Sequence, residues 1–128
     1  MATLEDVRRI ALSLPEVTQH GDYDFKVRGK NVCWERPLRA RDIADLEGLG
    51  QEVPVGDLLG VRVPREEKDE LLASAPDVFL TIPHFDGYPA LLVKLADVEV
   101  EELTEIITDS WLVQAPKRLA KEFLASGG

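Results

Sequence analysis

The sequence predicts an α+β domain built on a five-stranded antiparallel sheet with helices packed on one face. Apolar residues repeat at three- and four-residue spacing near both ends of the chain. They alternate with polar residues in several short central runs, and glycines and prolines mark the breaks between the two textures. A chain of 128 residues, 45% apolar, can bury roughly 68% of the surface its unfolded form exposes, which suits one core and one domain over residues 1–128.

Leu4, Val7, Ala11 and Leu14 share one helical face. They lie between Thr3, which with Asp6 approximates a capping box, and the helix-stopping Pro15. After a polar connection, Phe25 and Val27 interleave with Asp24, Lys26 and Arg28 as a strand. Gly29-Lys30 then suits a type II′ hairpin loop, which sets Arg28 opposite Asn31, Val27 opposite Val32, Lys26 opposite Cys33 and Phe25 opposite Trp34. Residues 37–57 read as a loop insertion, with a short helix around Asp42 to Leu46 and Gly48, Gly50, Pro54 and Gly56 as breakers.

Leu59, Val61 and Val63 alternate as a third strand. Pro64 opens a second helix with Glu66 and Glu67 in its first turn and Leu71 and Leu72 on its buried side, ending near Ser74. Val78 to Ile82 and Leu91 to Leu95 are the fourth and fifth strands, joined by the loop Pro83 to Pro89. Leu103, Ile106, Ile107, Ser110 and Trp111 keep a helical period, and a last helix starts at Pro116 with Leu119 and Phe123 as its i,i+4 pair. The predicted order is α-β-β-β-α-β-β-α-α. Helices cover one sheet face and the other meets solvent.

No apolar run approaches the roughly 18 residues of a spanning helix, and the first residues lack the blocks of a signal peptide. A cytoplasmic protein with no membrane association, a monomer or weak dimer, is the expectation. The lone Cys33 has no disulfide partner, and one cysteine with two histidines falls short of the four Cys or His ligands of a structural zinc site. Gly48, Gly50, Gly56 and Gly60 match neither phosphate-binding glycine motif. No metal and no cofactor are expected, and Trp34 and Trp111 are assigned to packing first.

The net charge of −9 opposes non-specific attraction to nucleic acid, but it is unevenly spread. Lys26 to Arg41 holds six bases and one acid, and Asp97 to Asp109 holds six acids and no base. Strand alternation turns Lys26, Arg28, Arg62 and Lys94 to the open sheet face, with Cys33, Leu58, Ala90 and Leu92 among them. Together with Lys30 they could meet a phosphate backbone, and Lys117, Arg118 and Lys121 on the last helix form a second basic group. The competing interpretation is a solvated face whose bases guard against aggregation.

His84, Asp86 and Tyr88 share the long hairpin loop, where a histidine beside a carboxylate suits acid-base work or ligand contact. The structural alternative has Phe85 and Tyr88 pinning the loop and Asp86-Gly87 making its turn. His20 with Asp22 and Asp24 poses the same question. No base sits near Cys33 in sequence to make it a nucleophile.

The segments Ala11-Leu12-Ser13-Leu14-Pro15-Glu16-Val17, Pro76-Asp77-Val78-Phe79, His84-Phe85-Asp86-Gly87-Tyr88-Pro89 and Ala115-Pro116-Lys117-Arg118-Leu119 resemble the YjbR/MmcQ family. The resemblance implies a compact fold related in shape to double-wing DNA-binding domains and to secretion-chaperone-like folds. It also implies a DNA-binding or regulatory role without catalysis, since the family supplies no catalytic residues to carry over. A protein- or small-ligand-binding module working through the sheet face or the 83–89 loop is the alternative.

Overall fold

A computed structural model describes residues 1–127 of the chain. Its elements are α1 (Leu4–Leu12), β1 (Val17–His20), β2 (Asp24–Val27), β3 (Lys30–Glu35), α2 (Ala40–Gly48), β4 (Leu58–Arg62), α3 (Lys68–Ser74), β5 (Phe79–Leu80), β6 (Ala90–Lys94), α4 (Val100–Gln114) and α5 (Lys117–Ala125). Short 3-10 turns cover Arg65–Glu67, Pro83–Phe85 and Leu95–Asp97. The sheet runs β1-β2-β3-β4-β6-β5, with every neighbouring pair antiparallel.

The α+β class and the antiparallel sheet stand, but the sheet has six strands, not five. The added strand, β1, lies in what reads as a polar connection. Val17 and Gln19 are half-buried while Thr18 and His20 are exposed, an alternation too short and too polar to register as a strand. The predicted fourth strand shrinks to β5, and Pro64 and Pro116 sit just before their helical turns rather than inside them.

The main core lies between the sheet and a helical layer. It gathers Phe25, Val27, Leu59, Val61, Leu91 and Val93 from the strands, Val7 and Ile10 from α1, and Leu103, Ile107 and Trp111 from α4. Thr3 and Asp6 form the predicted reciprocal cap of α1. The Trp111 indole N–H donates to the Pro15 carbonyl at 3.0 Å, which satisfies its one polar atom inside the core.

The β2–β3 hairpin departs from the predicted register. Arg28 and Gly29 occupy the loop at φ 51° and 81°, two successive left-handed residues as in a type I′ turn, in which glycine takes the second place. Val27 therefore pairs with Lys30 and Lys26 with Asn31. One residue then bulges, so Phe25 faces Cys33 and Asp24 faces Trp34. The bulge sends Val32 and Cys33 into the main core and Trp34 to the opposite face, which corrects both the Phe25–Trp34 pairing and the placing of Cys33 on the open face.

That opposite face is not open along its whole width. Leu46, Leu58, Ile82, Phe85, Ala90 and Leu92 make a second buried cluster, with Trp34, Leu38, Val53, Leu80 and Tyr88 packed around it. Residues 37–57 are thus more than a loop insertion. They supply α2, whose Leu46 closes over β4 and β6 together with the Pro83–Phe85 turn. Each such buried leucine or phenylalanine stabilises the fold by about 1.5–3 kcal/mol relative to exposure, so this cover belongs to the structure of the sheet.

Candidate functional site

A cleft of about 570 Å³ opens where the end of β3 runs into the segment before α2. Asn31, Trp34, Glu35, Arg36, Pro37 and Arg39 line one side, and His84, Phe85 and Tyr88 of the Pro83–Tyr88 turn line the other. Its volume is in the range of small-molecule sites.

Trp34 owes its position to Gly60, its partner across β3 and β4. A Cβ at residue 60 would lie 2.4 Å from the Trp34 Cε2 atom, so only glycine lets the indole cross the strand this closely. The Tyr88 ring stands 6.4 Å from Trp34 at 54°, and 5.5 Å from Phe85 at 75°. The aromatic walls are therefore tilted against one another rather than stacked together.

The turn carrying those rings is fastened by three cations spaced along the chain. The Arg62 guanidinium donates to the Pro89 carbonyl at 3.1 Å and lies 5.0 Å from the Tyr88 ring centre. Arg65 donates to the Gly87 carbonyl, and the Lys68 ammonium donates to the carbonyls of Phe85 and Tyr88 at 2.7 and 2.8 Å. Burial draws the Lys68 pKa down, against the opposing charges of Asp86 and Asp69. The Asn31 amide donates to the Tyr88 hydroxyl at 3.2 Å, its carbonyl oxygen accepts from Arg62 at 2.9 Å, and Gln114 of α4 donates to its backbone carbonyl. These bonds fix Tyr88 and the Phe85 backbone in place at the cleft.

Arg36 and Asp42 form a buried ion pair on the other side. Nη1 lies 3.0 Å from Oδ2, and the two side chains are 8% and 3% exposed. Nη1 also donates to the Pro37 carbonyl, while Nη2 is buried with no hydrogen-bond partner. Asp42 Oδ2 accepts from the Arg39 backbone N–H at 2.9 Å at the start of α2. Burial raises the Asp42 pKa, but the Arg39 N–H, the Arg36 guanidinium and the charge of His84 together outweigh it and hold the carboxyl below its ordinary range.

The bases proposed from sequence are dispersed. By strand parity Lys26, Arg62 and Lys94 do share the second face, and Arg28 does not, because it sits in the hairpin turn. Arg62 is occupied by the Pro89 and Asn31 contacts. Lys94 pairs across β4 with Leu58, four residues from the Arg62–Ala90 pair and so about 13 Å along the strands, and borders a depression with Leu46 and Val53. Lys26 is half-exposed and Lys30 exposed.

Arg28 pairs with Glu16, and Arg118 with Glu122; all four line one shallow depression beside Pro116 and Leu119. Lys117 and Lys121 are exposed on α5.

In the 83–89 loop, His84 and Tyr88 line the cleft and Asp86 does not. Among the described residues no hydrogen bond joins His84 to Asp86, and no cluster of three or more His, Cys, Asp or Glu side chains is arranged for a metal ion. His20 is held by Thr18 Oγ1 at 2.8 Å, out on β1. Cys33 is fully buried, and burial, with Asp24 nearby, pushes its thiol pKa far above neutrality. Sequence inspection missed Trp34, Arg36 and Arg39 as site residues. The available signal was an arginine-bearing segment, Trp34-Glu35-Arg36-Pro37-Leu38-Arg39, that carries a strand into the following connection.

No helix among the described residues is long and apolar enough to cross a membrane. Among known proteins, the chain is 50% identical over 129 residues to the uncharacterized protein Rv2570 of Mycobacterium tuberculosis (strain ATCC 25618 / H37Rv), with 100% of each chain covered. It shows the same identity and coverage to the uncharacterized protein Mb2600 of Mycobacterium bovis. The crystal structure of Deinococcus radiodurans protein DR2400, which carries the family domain DUF419, superposes with a TM-score of 0.62 over 95% of this chain and 88% of that one. At 23% identity, that likeness speaks for the fold. The YjbR family model matches residues 12–113, which take in the sheet, the second core and the whole cleft, and the chain belongs to the YjbR family.

Proposed function

We propose that the chain is a non-enzymatic ligand-binding module whose small-molecule site is the cleft between Trp34-Arg36-Arg39 and the Pro83–Tyr88 turn. The observation that carries this is the fastening of that turn. Three of its carbonyls, from Phe85, Gly87 and Tyr88, and that of the adjoining Pro89 each accept from a cationic side chain, which is preorganisation beyond what a surface hairpin requires. The test is a fragment library screened by saturation-transfer NMR against wild type, Arg39→Ala and His84→Ala. Both substituted residues are exposed, so the fold is left intact. Hits that weaken in the variants support the site. An absence of hits, or hits indifferent to both changes, overturns it.

A second reading, DNA binding, is favoured by Lys26, Lys30, Lys117 and Lys121, which make no ion pair among the described residues. It is also favoured by the meeting of the hairpin turn with the start of α5. Against it stand the net charge of −9 and the acids that neutralise Arg28 and Arg118. Fluorescence anisotropy with labelled duplex and single-stranded DNA tests it. Binding that falls steeply with salt and is lost in Lys30→Glu/Lys117→Glu supports it, and flat titrations at low salt refute it.

A further inference from the structure

We infer that the ligand of this cleft joins a planar aromatic ring to one anionic group, a carboxylate or a phosphate; this rests on the cleft being a binding site. The anion is called for by Arg36. Its guanidinium is always charged and presents its donors as a rigid fork. Asp42 and the Pro37 carbonyl use only Nη1, and Nη2 remains buried without a partner in a side chain that lines the cleft. Unmet buried donors of this kind are rare in folded proteins, and a small rotation of the guanidinium towards the cleft that its side chain lines would present this one to an incoming acceptor.

Arg39 lines the same cleft with an exposed side chain and has no ion pair among the described residues. A neutral apolar ligand would leave Nη2 unmet, and a cation would face the unpaired charge of Arg39. Glu35 is the one acid on the lining, and it sets a limit. It opposes extended polyanions while leaving room for a single anionic head beside Arg36 and Arg39.

The ring is called for by the walls. Trp34 and Tyr88, both half-buried, line the cleft with their rings tilted 54° from one another, so neither is stacked flat on the other, while Phe85 belongs to the second core and Arg62 covers one face of Tyr88. Flat heterocycles are held by such faces whatever their substituents. The volume of about 570 Å³ suits a molecule of one ring system and one head group.

The experiment is calorimetric titration of wild-type protein with two matched pairs, AMP against adenosine and indole-3-acetate against indole, with phosphate and acetate alone as controls. At least one anionic member is expected to bind tenfold or more tighter than its neutral partner, the range of a charge-assisted hydrogen bond in a desolvated site. Which pair shows the gain separates phosphate from carboxylate. Arg39→Ala is expected to weaken the anionic member several-fold and the neutral one little, and Arg36→Lys is expected to cut the gain further.

Because Arg36 is buried, the exposed Arg39 variant keeps the result readable if Arg36→Lys unfolds. Neutral rings that bind the cleft as tightly as their anionic partners overturn this inference and leave the cleft as a site. Anionic ligands whose affinity is untouched by Arg39→Ala overturn it as well. No binding by any probe overturns the inference, and with no fragment hits at the cleft it removes the site as well.

Discussion

Asp42→Asn should be among the most damaging single substitutions on the α2 side of the molecule. The ion pair it breaks is 3.0 Å long, with side chains 8% and 3% exposed. At an effective dielectric constant of about 20, unit charges at that separation attract by roughly 5 kcal/mol. Removing the carboxylate charge leaves Arg36 charged and buried against neutral acceptors alone, the Pro37 carbonyl and the Asn amide oxygen, with Nη2 already unpaired. Breaking such a pair costs about 3–5 kcal/mol, a large part of the roughly 5–15 kcal/mol that holds a domain folded. Urea denaturation followed by tryptophan fluorescence should therefore show the midpoint falling by about 2 M, taking a slope of about 2 kcal/mol/M.

The pair variant Arg36→Met/Asp42→Leu should retain most of the stability. It removes both charges together and loses mainly the bond from the Arg39 N–H, worth about 1 kcal/mol. The reasoning is refuted if Asp42→Asn stays within about 1 kcal/mol of wild type, or if the pair variant is as unstable as the single one. The same pair sets an acid limit. The folded pKa of Asp42 lies below its unfolded value, so its contribution is full above about pH 5 and is lost as pH falls through the unfolded value near 4 towards the folded one. Acid titration of α2 amides by NMR reads that window, and Asp42→Asn should abolish the acid-linked loss.

Gly60→Ala should cost about 1–3 kcal/mol in thermal unfolding and alter the Trp34 signal in near-ultraviolet circular dichroism, because the added Cβ meets the indole at 2.4 Å; an unchanged spectrum would contradict the close approach. Lys68→Met should speed hydrogen exchange at Phe85 and Tyr88 by roughly ten- to a hundredfold, matching about 1.5–3 kcal/mol for the lost charged donor to two carbonyls. Equal protection in the variant would show that the turn is held by its packing alone. Cys33 should resist thiol reagents at pH 8 in native protein and react at once in denaturant, since its thiol is fully buried and its pKa raised; reaction under native conditions would place it at the surface.

The main core was legible in the sequence because period and burial coincide there. Val7 and Ala11 of α1, Leu103, Ile107 and Trp111 of α4, and the alternating Leu59, Val61, Leu91 and Val93 all lie where their spacing puts them. The hairpin was legible only as a hairpin. Its register turned on whether Gly29 is the first or second loop residue and on a bulge at Val32, and neither leaves a mark in residue pattern. The second core had announced itself in part. Leu58, Ala90 and Leu92 alternate onto the face assigned to solvent, and three buried apolar residues there require a cover, which α2 supplies.

The cleft was half visible, through His84 and Tyr88. Its other wall depends on Trp34 crossing Gly60 and on Arg36 turning inward to Asp42, contacts set by tertiary packing rather than by spacing. The bases Lys26, Arg62 and Lys94 obey strand parity and still form no single field, since Arg62 is occupied at Pro89 and Asn31 while Lys94 lies at the far end of the second core.

The most direct test is one amide-resolved NMR titration of labelled protein, carried out in parallel with the strongest fragment hit and with a short DNA duplex at low salt. Shifts gathered at Trp34, Arg36, Arg39 and His84 to Tyr88 with the fragment, and none with the duplex, are the result predicted for a ligand-binding cleft. Shifts at Lys26, Lys30, Lys117 and Lys121 with the duplex, and a silent cleft, would contradict it.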